Sequence, residues 1–236
     1  MNQEFNNPTP VVPVFELDTE TRGTFIARTY AHLFGAIMAF TGLEVLFFKT
    51  GASDSIMKLL ASAGNRSWLL VLGGFMLISW FARRTASTAP SRMAQYLALS
   101  AYVAAWSVLF VPILWIADEF APGAIQSAAV TTILGFAGLT CIAFGTRKDF
   151  SFLRGILMWV GLSAFIAIIA AVIFGFELGT WFSVAMVAFA GAAILYDTSN
   201  VIHHYPRDRY VGASLELFAS VALMFWYLLR LFSSRN

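Results

Sequence analysis

Charge is scarce in this sequence. Asp, Glu, Lys and Arg make up only 12% of its 236 residues, against 59% hydrophobic and 16% aromatic residues. A water-exposed globular surface carries about twice that share of charge. A soluble enzyme or binding domain is thereby excluded, and lipid is the expected solvent.

Cysteine and histidine are nearly as rare, at one and three residues. A lone Cys141 in an apolar run excludes an intramolecular disulfide and a thiolate-based metal cluster, and reads as a packing residue. His203 and His204 resemble a metal pair, but adjacent helix positions point in different directions and no Cys or Glu set accompanies them. No metal site and no cofactor is expected.

Lysine is absent from every apolar run, since Lys49, Lys58 and Lys148 all fall in connectors. That removes a retinal Schiff base and a membrane-embedded Ser–Lys dyad. There is no GxGD partner for the Tyr196–Asp197 step, so the paired carboxylates of an intramembrane aspartyl protease are missing. Phosphate-binding glycine loops, zinc-ligand helices and nucleophile elbows are missing too. The chain therefore reads as a non-enzyme. Its net charge of +2, with bases scattered among connectors, argues against nucleic acid as a partner.

What is present is a repeated signal. A membrane-spanning helix needs about 20 mostly apolar residues, and such runs occur near 28–48, 67–83, 95–117, 124–145, 152–175, 180–202 and 212–232. The expected fold is all-α, a polytopic bundle of seven transmembrane helices over residues 26–236. Residues 1–25, rich in Asn, Pro, Thr and acidic side chains, read as a polar cytoplasmic tail without a cleavable signal.

Ten of the fifteen Lys and Arg residues fall on the N-terminal side of this frame. The positive-inside tendency places that side in the cytoplasm. Trp68, Trp115 and Trp181 then mark outer ends, and Tyr96, Tyr205 and Tyr210 inner ones. Arg230 and Arg235 oppose an external C-terminus, so six spans with a re-entrant last segment is the alternative. Gly73, Gly74, Gly135, Gly138, Ala188, Gly191 and Ala192 are expected to let helices approach closely.

An ionisable group in the hydrocarbon costs at least about 2.5–3.5 kcal/mol on insertion scales, so each one is a candidate site. Asp197 is the deepest, some eight residues or about 12 Å before the inner end marked by His203, His204 and Arg207. Its two readings are a carboxylate fixed by neighbouring helices and a titrating gate or ion ligand. Arg83 and Arg84 end the second run on the same side, as interface markers or as partners of Asp197. Glu44 and Glu216 each lie near a helix end and read equally as interfacial groups. His32 reads as a packing histidine or as a proton carrier.

With LYDTSNVI in the sixth run, RKDFSFLRGIL entering the fifth and WYLLRLF ending the seventh, the chain resembles the Bax inhibitor-1 and YccA-like membrane family over about residues 25–232. The resemblance implies a seven-helix bundle with the last helix central. It also implies a pH-sensitive calcium leak, or, for YccA-like members, modulation of a membrane-bound AAA protease in the bacterial inner membrane. The expected partners are the lipid bilayer, calcium or protons, and that protease.

Carried over by position, Asp197 matches the sixth-helix aspartate of the family's pH-sensing pair, and Arg83 the arginine beside it. The second aspartate does not carry over, because Ser220 stands in its place. A second-helix glutamate is also missing, near Leu72 or Gly73. Glu216, one turn from Ser220, is the available substitute. The candidate ion path or pH sensor is thus Asp197, Arg83, Glu216, Ser220 and His32.

Overall fold

The computed structural model describes residues 13–62, 67–89 and 91–234. Eight α-helices follow a short 3-10 turn at Val14–Glu16: α1 Thr19–Thr50, α2 Ala52–Ser62, α3 Ser67–Thr88, α4 Arg92–Phe120, α5 Ala124–Thr146, α6 Leu153–Phe174, α7 Gly179–His203 and α8 Tyr210–Ser233. All but α2 are long and apolar enough to cross a membrane. The seven expected spans are therefore present. The last runs unbroken from Tyr210 to Ser233, a through-going helix and not a re-entrant one.

Helix ends depart from the hydropathy edges where polar chemistry extends a helix. α1 begins at Thr19, not near residue 28, because the Asp18 carboxylate caps it by accepting the Thr21 amide at 2.9 Å. At 1.5 Å per residue its 32 residues reach about 48 Å, well beyond a hydrocarbon core of about 30 Å. Residues 13–17 are pinned as well: the Val14 amide donates to the Tyr205 carbonyl at 2.9 Å and Val14 is fully buried. Part of the segment read as a tail thus packs on the α7–α8 connector.

The amphipathic helix α2 is invisible to a 20-residue hydropathy window. It lies at the end of the bundle opposite the N-terminus, where Asp54 accepts a hydrogen bond from the Trp115 indole at 3.2 Å. Trp115 is thereby at a helix end, as expected. Trp181 is largely exposed at the start of α7, while the Trp68 side chain lies outside the described residues. Of the inner-end tyrosines, Tyr96 is exposed and Tyr210 is buried.

α8 is the hub. It packs against α1, α3, α4, α5 and α7, while α6 touches only α7 and α3. Burial agrees with these contacts: α8 contributes Val211, Ala213, Leu215, Leu217 and Leu229 at zero exposure, whereas α6 leaves Ile156, Met158, Trp159 and Phe174 facing outward. An apolar surface of this size is stable only against hydrocarbon.

Close approach is carried by fewer glycines than expected. A Cβ on Gly135 or Gly191 would touch Met224 of α8, but at Gly73, Gly74 and Gly138 nothing lies within 4 Å. The tightest contact is at Gly212, where a Cβ would sit 2.9 Å from the Ala86 carbonyl oxygen. Arg209, just before α8, secures the same junction by donating to the Ala89 and Thr88 carbonyls that end α3.

Candidate polar site at the N-terminal face

Three helix ends converge near the face where the chain enters the bundle. α3 and α7 arrive with Arg83 and Asp197, and α8 departs with Glu216 and Ser220. Glu216 and Ser220 are four residues apart and so share one face of α8.

The arginine does not pair with Asp197. Its Nη1 lies 2.7 Å from Glu216 Oε2, and its Nη2 donates to the Tyr102 hydroxyl at 3.4 Å. The guanidinium also stands 6.0 Å from the centroid of the Tyr102 ring, a cation–π distance. Asp197 instead accepts the Ser220 hydroxyl on Oδ2 at 2.5 Å. Arg83 and Glu216 remain within electrostatic reach of Asp197. The expectation of an Arg83–Asp197 pair is corrected to two parallel ties: α3 to α8 through an ion pair, and α7 to α8 through a hydrogen bond. The reason is reach, since Glu216 lies a turn nearer the helix end from which Arg83 extends.

The resulting group is one base and two acids with two phenols around them. Tyr102 is buried to 1% exposure and packs on Phe75, Trp106 and Phe218. Tyr205, in the α7–α8 connector, lies within electrostatic reach of both carboxylates. Burial first, and then Glu216 and Asp197, push its phenol well above the ordinary tyrosine range. The sequence marks Tyr205 only as a helix-end aromatic and does not mark Tyr102. The available signal was generic: a phenol in an apolar run needs a hydrogen-bond partner.

His32 lies apart from this group. Its Nδ1 meets the Arg28 carbonyl at 2.7 Å and its Nε2 the Tyr96 hydroxyl at 3.0 Å, and its ring packs on Tyr96 and Tyr210. Arg84 stands over the Trp80 ring at 5.6 Å, on neither carboxylate. Glu44 is at the other end of the bundle.

A second polar cluster joins the α5–α6 connector to the end of α7. Asp149 accepts the Ser151 amide at 2.8 Å and the Ser199 hydroxyl at 3.4 Å, and stands 3.3 Å from His204 Nε2. Ser199 in turn accepts the Phe150 amide at 2.9 Å. The lysine–aspartate–phenylalanine–serine entrance noted in the sequence is thus a docking device for the helix that carries Asp197. Among the described residues, no three His, Cys, Asp or Glu side chains stand together as a metal-binding group.

Comparison with known proteins bears on the family of the chain. A match to the family described as inhibitor of apoptosis-promoting Bax1 covers residues 22–236. An uncharacterized protein of Pseudomonas aeruginosa, PA2604, is 38% identical over 111 residues, which is 46% of this chain and 49% of that protein. The chain spans about half the length of this curated relative. Seven membrane-crossing helices, the last of them central, with a family match over nearly the whole bundle, make this chain a multi-pass membrane protein of the Bax inhibitor family.

Proposed function

We propose that this protein is a pH-sensitive cation or calcium leak of the bacterial inner membrane, with its N-terminus in the cytoplasm. The observation that carries this reading is the pair of ties on α8, Arg83–Glu216 and Asp197–Ser220. They hold three helix ends together around the central helix, and both depend on the charge of a carboxyl group.

Protonation of Glu216 removes the charge that holds Arg83. Protonation of Asp197 converts it from a pure acceptor to a group that also donates, which changes what Ser220 and its neighbours can offer it. Either event loosens α3 or α7 from α8 and opens a polar route past the cluster, a local charge change acting on helix packing. Ser220 makes this chain differ from a carboxylate pair. With no second acid directly on Asp197, coupled titration of two touching carboxyls is replaced by a longer-range interaction with Glu216.

The test is calcium flux into liposomes containing the full chain, measured across pH, with Asp197→Asn and Glu216→Gln beside wild type. Flux that varies with pH in wild type and is flattened in both variants is expected. Equal, pH-independent flux in all three proteins overturns the reading.

The absence of a second aspartate at Ser220 favours one rival, a non-conducting regulator that binds a membrane AAA protease. Removing residues 1–12 leaves the Val14–Tyr205 tie in place. Crosslinking in membranes with and without them separates the two: a regulator loses a defined protease partner, whereas a leak protein keeps its flux.

A further inference from the structure

Glu44 is the anomaly that the polar site leaves unexplained. It lies on α1, six residues or about 9 Å before the helix ends at Thr50, at the face opposite the Arg83 cluster. It does not reach out of the bundle as an interfacial glutamate would. The residue is only 7% exposed, and neither carboxylate oxygen has a hydrogen-bond partner among the described residues. A buried carboxylate with no donor is among the most destabilising things a fold can contain.

The surroundings explain what would satisfy it. Glu44 lines a cavity of about 500 Å³, the size of a small-ligand site, between α1, α4, α5 and α8. The nearby hydroxyls do not help the acid: Thr41 donates to the Ile37 carbonyl and Thr132 to that of Ala128. Among the described residues no Lys, Arg or His lines the space, and its other ionisable group, Asp118, is also an acid. Phe40, Phe48 and Phe225 also line the space, and aromatic rings are compatible with a bound cation. Among the described residues the site therefore has carboxyl acceptors and aromatic rings and lacks a cationic donor.

The route in is lateral. No Cα of α1 comes within 8 Å of one on α5, so the two helices leave a slot backed by α4 and α8. Met38, Val45 and Ile133 at its lips are 48%, 48% and 66% exposed, on a surface that faces hydrocarbon. A ligand arriving that way carries an apolar tail.

We propose that the slot between α1 and α5 binds an amphiphilic primary ammonium ion, which enters from the lipid and places its N–H donors on Glu44. The apolar tail lies along the slot between α1 and α5, over Ala129 and Ala222. The ammonium is supplied either by a free lipophilic amine or by an aminoethyl lipid headgroup.

The experiment titrates decylamine into nanodiscs of phosphatidylcholine holding the full chain, with empty discs subtracted. Wild type is expected to bind saturably, and Glu44→Gln at least tenfold more weakly. Decanol, which has the tail without the charge, is expected to bind both proteins alike and weakly. Ala129→Phe, which fills the slot and leaves Glu44 intact, is expected to abolish binding. Without ligand, Glu44→Gln should melt no lower than wild type, because it removes an orphan acid; this separates lost binding from lost folding. Adding phosphatidylethanolamine to the discs distinguishes the sources: competition identifies the headgroup, and its absence the free amine. Equal decylamine affinity in wild type and Glu44→Gln, or decanol binding as tightly as decylamine, overturns the proposal.

Discussion

The Ser220 hydroxyl of α8 donates to Oδ2 of Asp197 on α7, so the central helix holds the carboxylate of the seventh helix through a neutral side chain. Removing that donor should be felt. Ser220→Ala leaves the Asp197 oxygen short of a partner, at a cost of about 1–3 kcal/mol, and thermal unfolding in detergent should fall by several degrees. Ser220→Asp places two carboxyls in contact, so its stability should drop as rising pH ionises the second one. The measurement is melting temperature against pH for the three proteins. Identical curves would contradict the assigned hydrogen bond.

The Arg83–Glu216 pair is short at 2.7 Å, but the arginine side chain is 48% exposed. Screening by solvent limits such a pair to about 1 kcal/mol or less. A double-mutant cycle with Arg83→Gln and Glu216→Gln should therefore return a coupling of about 0.5–1 kcal/mol. Arg83→Gln with Asp197→Asn should give less. The reverse order would place the ion pair on Asp197.

Gly212 and Gly73 offer a matched comparison. Alanine at 212 meets the backbone carbonyl of Ala86 at 2.9 Å, and a carbonyl in a helix cannot step aside as a side chain can. Gly212→Ala should destabilise by about 1–3 kcal/mol, the usual cost of overpacking. Gly73→Ala, with open space around it, should be neutral or should stabilise by up to about 1 kcal/mol through helix propensity. Denaturation in a mild detergent reports both.

The α5–α6 connector should carry its own acid sensitivity. Burial works against the Asp149 carboxylate, but the Ser151 backbone and side chain, with His204 and His203, outweigh it and hold the carboxyl below its ordinary 3.8. A carboxyl with a depressed folded-state pKa contributes stability that is fully present above about pH 4 and lost as pH falls below it. Protection of the amides over residues 148–152, relative to their intrinsic exchange at each pH, should fall below about pH 4 in wild type. Asp149→Asn should be less protected above about pH 4, match wild type below it, and lose that acid step. A wild-type connector indifferent to pH from 3 to 6 would contradict this.

Much of the architecture was legible because hydropathy is local. Each apolar run states its solvent without reference to any other, and all seven spans appear where such runs occur. Asp197 was legible for the same reason, as a charge in the wrong neighbourhood. Short elements were not: α2 is 11 residues long, too short for a window sized to a bilayer. The start of α1 was missed because an Asp18 cap, not apolarity, decides it.

By itself, then, the sequence determined that this chain lies in a membrane, where its seven apolar runs fall, and that a carboxylate stands inside the sixth of them. Those follow from sums over neighbouring residues. Only the tertiary structure decided that Arg83 meets Glu216 and not Asp197, that Gly212 is the glycine the packing requires, and that Glu44 is an unpartnered acid facing a lipid-side slot. Those depend on the rotation and depth of helices distant in sequence. A one-residue turn of a helix, about 100°, is enough to exchange a carboxylate's partner for lipid.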